Sequence, residues 1–397
     1  MRIVQVNLAT EFYSPFDGGA VARVIREQAA IIQSKGHFVT VVTVPSPSGN
    51  YDTGHVLPVR NAYRDELSFA KRAIFKLKGW WLKWDIPYYD VFIRSVIARI
   101  ESLTHPPDVI ITHNDLVAPR YLKARFPSST IAAMLHNIQN PSLKDAKALA
   151  APVDMFLTVS DYLKDWVLTH LGLPREKVAT VSHGVNLQDF YPRPDWASRH
   201  AGPLRVLVVA RIEPNKGQDL VARAVARLAK EGIPVKLTLA GPVWMFGSQA
   251  RETSSYLEEV LAAAHPAQCE HLGHVPHPQM RSLYQQHDVV CLISRLEEGF
   301  GLAILEAMAC GCAAVSSDRG GLKEATRGAA LVVEPDDPDT IFRALRRLAT
   351  DEQELRRWKE KSLERAKEAS WEVSVDRMLR LFRELRSGKP TPQECIA

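Results

Sequence analysis

The sequence predicts an α/β fold, two Rossmann-like halves facing each other across a cleft, and three observations carry that expectation. Short β-branched apolar runs alternate with helical patterns along the whole chain, as in parallel sheets covered by helices. The alternation breaks at the polar, proline-containing stretch Tyr191–Pro203 and then restarts. The length, 397 residues, exceeds one typical core and suits two domains of similar size.

In the first half, strands are expected at Ile3–Asn7, Val39–Val44, Val109–Thr112, Thr130–Leu135, Met155–Val159 and Val178–Val181, with helices at Ala20–Ser34 and Asp161–His170. The second half repeats the rhythm with strand Arg205–Ala210, helix Gln218–Glu231, strand Val235–Ala240 and helix Ser254–Ala264. It continues with strands Glu270–Leu272 and Asp288–Ser294, a helix from Leu302, strands Ala313–Ser316 and Ala330–Val333, and helix Pro338–Thr350. The domains read as 1–190, a linker at 191–203, 204–370, and a tail at 371–397 whose helix Trp371–Leu385 packs back across the boundary. In such a pair of halves, ligands bind at the carboxyl ends of the strands.

Composition excludes several classes. At 46% hydrophobic and 24% charged residues, the chain is an ordinary globular one. It has no run of eighteen apolar residues to span a bilayer. Its first residues, MRIVQVNLATEF, read as a strand and not as a signal peptide, so a cytoplasmic location is expected. Five cysteines show no zinc spacing, Cys291 lies within an apolar strand as a small buried hydrophobe, and a net charge of +5 argues against a nucleic-acid partner. Neither a GxGxxG after the first strand nor a Walker A motif is present, which removes the nicotinamide and P-loop fingerprints.

The most informative stretch is Glu297–Cys312, EEGFGLAILEAMACGC. Glu298 and Glu306 bracket Gly299-Phe300-Gly301, which closes a buried strand and opens a helix at Leu302. Glycines there let backbone N–H groups approach a ligand, and a helix N-terminus adds unpaired donors with partial positive charge, which suits a diphosphate. Glu306, one turn into the helix, could accept the hydroxyls of a ribose, and Glu298, at the mouth, could reach a sugar. An ordinary strand–turn–helix with two solvated glutamates is the plainer alternative. After the first strand of the second half, Arg211 and Lys216 lie five residues apart on one loop and could converge on a diphosphate, or could be two solvated cations. Gly18-Gly19, at a strand-to-helix turn in the first half, could turn amides toward the same cleft or form only a tight turn.

Taken in order, these motifs resemble those of the retaining family 4 glycosyltransferases of the GT-B fold, over nearly the whole chain. The set comprises Gly18-Gly19, Asp108-Val109-Ile110-Ile111, His136-Asn137, Val159-Ser160 and His183-Gly184-Val185-Asn186. It continues with Arg211, Lys216-Gly217, Ala240-Gly241, Glu298 through Glu306, and Gly320-Gly321-xx-Glu324. The one departure is His183, where asparagine is more usual. The resemblance implies a hexose moved from a nucleotide-diphosphate sugar to an acceptor; GDP-mannose or a UDP-hexose is the expected donor, and membrane contact by Phe69–Trp84 would make the acceptor a glycan or lipid-linked saccharide in cell-surface polysaccharide, lipopolysaccharide or glycolipid assembly.

By that resemblance Arg211 and Lys216 neutralise the diphosphate, the amides of Phe300, Gly301 and Leu302 hold sugar or phosphate, and Glu306 holds the ribose. Glu298 binds sugar hydroxyls and favours an oxocarbenium-like centre, the base lies along Leu272-Gly273-His274-Val275, and His136 reaches the sugar beside the phosphate. His136 also fits a buried structural histidine. Configuration would be retained, with the leaving phosphate helping to deprotonate the acceptor, so neither a cofactor nor a metal is expected. No Asp-x-Asp stands at a strand end and no His/Cys cluster occurs.

The segment Phe69–Trp84, FAKRAIFKLKGWWLKW, places Trp80, Trp81 and Trp84 on one helical face, with Arg72, Lys76 and Lys83 roughly opposite. Three uses fit it: peripheral contact with an anionic membrane, on the inner face of the cell membrane; an acceptor groove; or packing on its own sheet. Competing functions are a transferase with a soluble acceptor, a sugar-nucleotide epimerase of similar fold, and a non-catalytic nucleotide-sugar-binding protein.

Overall fold

A computed structural model describes residues 1–60, 86–138, 143–197, 202–243 and 249–387. The segment Phe69–Trp84, with its acceptor or membrane candidates Arg72, Lys76, Trp80, Trp81, Lys83 and Trp84, lies outside the described residues. The chain divides into two compact units. Unit 1 holds Met1–Val159, Leu163–Val181 and the chain from Glu372, and unit 2 holds Ser160–Tyr162 and Ser182–Trp371. Among the described residues no helix is long and apolar enough to cross a membrane.

Unit 1 is built on a parallel sheet in the order β3-β2-β1-β4-β5-β6-β7. Its strands are β1 (Arg2–Val6), β2 (Phe38–Thr43), β3 (His55–Pro58), β4 (Val109–His113), β5 (Thr130–Leu135), β6 (Met155–Thr158) and β7 (Val178–Thr180). The connecting helices are α1 (Ala20–Ser34), α2 (Ile86–Glu101), α3 (Ala118–Arg125), α4 (Leu143–Ala150) and α5 (Asp161–Leu171). Both faces of the central strands are covered, so β4 and β5 are buried at every residue, which explains why they read as unbroken apolar runs. Helix α1 buries Val21, Ala22, Val24, Ile25, Ala29 and Ile32, a stripe with the spacing of an amphipathic helix.

Unit 2 repeats the design with the order β10-β9-β8-β11-β12-β13. Strands β8 (Leu204–Val209), β9 (Val235–Ala240), β10 (Gln268–His271), β11 (Val289–Leu292), β12 (Ala313–Ser317) and β13 (Ala330–Val333) are all parallel. Helices α6 (Gln218–Lys230), α7 (Gln249–Ala263), α8 (His277–Gln285), α9 (Leu302–Ala309), α10 (Leu322–Thr326), α11 (Pro338–Thr350) and α12 (Glu352–Glu368) connect and cover them. The core joins Val206, Val208, Val225, Leu237, Val289 and Leu345, and Cys291 is fully buried within it as a free thiol. In both sheets the strand order reverses beside the first strand, at β1/β4 and β8/β11. In open α/β sheets such a point is where ligands bind, outside the carboxyl ends of the strands.

The final helix, α13 (Trp371–Arg386), enters unit 1 from Glu372 onward. Within that unit Lys35 pairs with Asp376 (2.8 Å) and Arg386 pairs with Asp108 (2.7 Å). Two short segments expected in the first domain group instead with unit 2. Val185 forms a bridge with Ser370, and its N–H donates to the Ala369 carbonyl. Ser160 donates to the Gly299 carbonyl.

Other elements depart from the expected pattern for identifiable reasons. Edge strand β3 is short and only half-buried, and α7 starts at Gln249, ahead of the expected Ser254. Helix α12 turns Lys359 and Arg365 inward along with Leu355 and Ala366, so its buried face does not read as apolar. Lys359 Nζ meets Asp288 Oδ1 at 3.0 Å, with the two side chains 2% and 0% exposed, and also donates to the Trp196 carbonyl. Removing one partner leaves an uncompensated buried charge. Lys359→Ala should therefore destabilise unit 2 by about 3–5 kcal/mol in urea unfolding. A cost within the about 1 kcal/mol of a surface ion pair would contradict this.

Candidate active site

In unit 2, three loops meet at the carboxyl edge of the sheet. The first follows β8 and runs from Arg211 through a single 3-10 turn, Pro214–Lys216, to Gly217, the left-handed residue (φ 65°) that starts α6. A Cβ on Gly217 would stand 2.1 Å from the Ile293 carbonyl oxygen, so only glycine lets this loop touch the end of β11. Further bonds staple the two loops: Arg295 N–H and Ser294 Oγ both donate to the Asn215 carbonyl, and Arg295 holds Asp219 through two nitrogens at 2.7 and 2.8 Å.

The second contact joins the loop after β11 to the loop after β12. Glu298 forms a parallel bridge with Gly320, and Gly321 N–H donates to the Glu298 carbonyl at 2.8 Å. A Cβ on Gly321 would lie 2.2 Å from the Gly299 carbonyl oxygen. With the backbone pinned on both sides, Lys216 Nζ reaches Glu298 Oε1 at 2.5 Å, the side chains being 20% and 16% exposed. Arg211 is more open and pairs with Glu213 at 3.2 Å, while its carbonyl accepts from the buried Gln218 side chain.

Gly301 adopts φ 103° and leads into α9, whose N-terminus has no side-chain cap. Leu302 lies in the first turn of α9, and the buried Phe300 packs edge-on against His183. Glu306, one turn along, is 3% exposed and accepts from the Tyr284 hydroxyl at 2.9 Å. The carboxylate is thus held in place from α8, a helix absent from the sequence expectations. On the neighbouring loop Gly273 (φ 69°) accepts from the Gly241 N–H, His271 bonds the Gly241 carbonyl, and His274 lies exposed. Glu324 accepts from the N–H groups of Asp161 and Tyr162 at 2.7 and 2.8 Å, a structural role that its place in the motif did not disclose.

In unit 1, Gly18-Gly19 form the tight turn that opens α1. Gly18 N–H donates to the Ser14 carbonyl, and the Glu11 carboxylate accepts from the backbone at Gly19, Val21 and Ala22. A Cβ on Gly19 would stand 2.5 Å from Glu11 Oε1. The glycines make room for the chain's own carboxylate, which takes the anion-favouring start of α1, so these amides already have partners within the unit.

His136 follows β5 and is buried. Its N–H donates to Asn114 Oδ1 at 2.7 Å, and Asn114, in the left-handed region (φ 49°), donates its own N–H to the Met134 carbonyl. Nε2 of His136 lies 2.9 Å from Nδ1 of His113, and Nε2 of His113 lies 3.0 Å from Gln5 Oε1. Burial pushes the His136 imidazole down to about 3, so the ring is neutral near pH 7.

A family model described as Glycosyltransferase Family 4 matches residues 18–189, and one described as Glycosyl transferases group 1 matches residues 196–365. The chain belongs to the family 4 glycosyltransferases. The lipopolysaccharide 1,2-N-acetylglucosaminetransferase of Salmonella typhimurium is 29% identical to this glycosyltransferase over 69% of the chain and 71% of the relative. The D-inositol 3-phosphate glycosyltransferase of Kribbella flavida is 29% identical over 74% and 75%. The glycogen synthase of Mycobacterium tuberculosis is 27% identical over 82% and 80%. Among solved structures, sucrose-phosphate synthase of Thermosynechococcus elongatus aligns over 98% of this chain and 100% of its own, with a TM-score of 0.77 at 19% identity. That likeness shows the fold, GT-B.

The low value of His136 has a consequence for this glycosyltransferase that needs no substrate. Between about 3 and the ordinary 6.5, the unfolded chain binds a proton at this ring that the folded one does not. Its contribution to stability is therefore complete above pH 6.5 and is lost as pH falls toward 3. In unfolding measured from pH 7 to pH 4, His136→Gln should show a shallower loss than the native chain. Equal slopes would contradict the buried neutral ring.

Proposed function

We propose that this glycosyltransferase moves a hexose from a nucleotide-diphosphate sugar, GDP-mannose or a UDP-hexose, to a glycan or lipid-linked saccharide, with retention of configuration and without a metal. The observation that carries the reading is the pinned Lys216–Glu298 pair beside the start of α9, with Glu306 fixed one turn further on.

A diphosphate at this helix start meets unpaired N–H groups and a partial positive charge. Lys216 and Arg211 supply two full charges on the facing loop. Lys216 is held by Glu298, and a phosphate oxygen would compete for the same ammonium. As the bond from the anomeric carbon to phosphate breaks, negative charge grows on the leaving group, and a preplaced cation stabilises that charge more than the ground state. Glu298 then serves the sugar, where a carboxylate favours positive charge developing at the anomeric carbon. Glu306, steadied by Tyr284, accepts the ribose hydroxyls. The leaving phosphate takes the acceptor proton on the face it departs from, which yields retention.

The lipopolysaccharide transferase among the relatives supports a lipid-linked saccharide acceptor in cell-surface assembly. Peripheral contact of the Phe69–Trp84 segment with the inner, anionic face of a membrane belongs to that reading. The glycogen synthase relative, matched over more of the chain, favours a second reading with a soluble acceptor.

Thermal unfolding with UDP, GDP, ADP and dTDP in EDTA tests the donor site. One nucleotide at about a hundred times its Kd should stabilise the protein by about 2.7 kcal/mol, and Glu306→Ala should reduce that gain. Lys216→Ala should lower kcat by about 100-fold or more. No stabilisation by any nucleotide, or full turnover in the Lys216 variant, would overturn the assignment.

A further inference from the structure

Lys216 rides on a short support. The turn Pro214–Lys216 is a 3-10 turn of three residues, a conformation whose internal bonds are poorly aligned. Its ammonium also ends a flexible four-carbon stem. Where that charge stands therefore depends on what grips the turn from outside, and Arg295, on the loop after β11, grips it on both sides. The Arg295 N–H donates to the Asn215 carbonyl at 2.9 Å, and its Nη1 donates to the Pro214 carbonyl at 2.5 Å. Beyond the turn, Nη1 and Nη2 meet the two carboxylate oxygens of Asp219, in the first turn of α6, at 2.8 and 2.7 Å.

Asp219 is held in its turn by α7. The hydroxyl of the buried Tyr256 donates to Asp219 Oδ1 at 2.7 Å, and the Asp219 N–H donates to that hydroxyl oxygen at 3.2 Å. Tyr256, Asp219 and Arg295 thus join α7, the start of α6 and the loop after β11 into one brace around the turn. Glu298, the partner of Lys216, follows Arg295 on that same loop. The residue that clamps the lysine's backbone and the carboxylate that receives its ammonium therefore share one segment. The guanidinium fork of Arg295 is itself matched to a carboxylate only 14% exposed, so its charge is balanced inside the brace.

We propose that Arg295 is a positioning residue, braced by Asp219 and Tyr256, that fixes the turn carrying Lys216 so that its ammonium stands ready for the charge of a departing diphosphate. The inference rests on the reading of Lys216 as the leaving-group cation, and it adds a residue that touches no substrate. A preplaced cation stabilises the transition state without reorganising at the moment of reaction. Loosening its support slows the chemical step, since a misplacement of about 1 Å can cost about 100-fold. Donor affinity, which draws on many contacts, changes little.

Nucleotide release from GDP-mannose and a set of UDP-hexoses tests the brace. With a donor that the native protein turns over, Arg295→Ala should lower kcat by about 10- to 100-fold with the donor KM nearly unchanged. Arg295→Lys, which can keep a bond to Asp219, should recover part of that loss. Asp219→Ala withdraws the other half of the brace and should repeat the loss, which decides the matter if Arg295→Ala does not fold. In the Lys216→Ala background, Arg295→Ala should cost little more, because it acts through that lysine. Losses that multiply would place Arg295 on the substrate, and native kcat in Arg295→Ala or Asp219→Ala would leave the brace without effect; each overturns the proposal. Acetylation of Lys216 by acetic anhydride, read by peptide mass spectrometry against the exposed Lys323, follows the brace without turnover. The ion pair with Glu298 should slow the reaction in the native protein, and Arg295→Ala should speed it severalfold; equal rates overturn the proposal. Should the native protein release nucleotide from none of these donors, the functional reading falls while the acetylation rates still decide the brace.

Discussion

Contact of backbone against backbone, among the loops that follow β8, β11 and β12, governs where each charged group of unit 2 can go. Gly217 lies against Ile293, Gly320 against Glu298 and Gly321 against Gly299, at distances where a methyl group would overlap a carbonyl oxygen. Two of the three also require a positive φ. Once these loops are closed, a flexible lysine and a glutamate from different loops share one small, half-desolvated space. The electrostatics of the site therefore follow from steric permission given by residues that carry no charge.

The two units begin a helix in the same way and put it to different use. Each has glycine immediately before the first helical turn, Gly19 before α1 and Gly301 before α9. At α1 the chain supplies its own anion, Glu11, which engages the exposed N–H groups and neutralises the favourable potential. At α9, among the described residues, no side chain bonds the first turn. The same local sequence signal thus marks an internal brace in one unit and, under the proposed function, a phosphate site in the other. The deciding factor is whether a carboxylate elsewhere in the fold can reach the helix start.

Buried polarity is concentrated where it does chemical or architectural work. Asp288 and Lys359 tie the start of β11 to α12 inside the core, where neither charge could stand alone. Gln5, His113 and His136 form a chain of buried side chains instead, joined at 3.0 and 2.9 Å. The first arrangement fixes an element, and the second links β1, β4 and the end of β5 within unit 1.

Much of this was legible in the chain itself. Unbroken apolar runs such as Thr130–Leu135 announce buried parallel strands, and the spacing of Glu298, Gly299, Gly301 and Glu306 announces a strand–glycine–helix junction with two carboxylates. These are local facts, set by side-chain periodicity and backbone freedom within a dozen residues. What tertiary structure alone decided were the partners distant in sequence: Lys216 with Glu298, Glu306 with Tyr284, His136 with His113 and His113 with Gln5, and Glu11 with the turn at Gly18-Gly19. No periodicity encodes such pairs, because strand order and loop closure bring them together. The sequence determined which groups exist and on which elements they ride; the packing of those elements determined what each group faces.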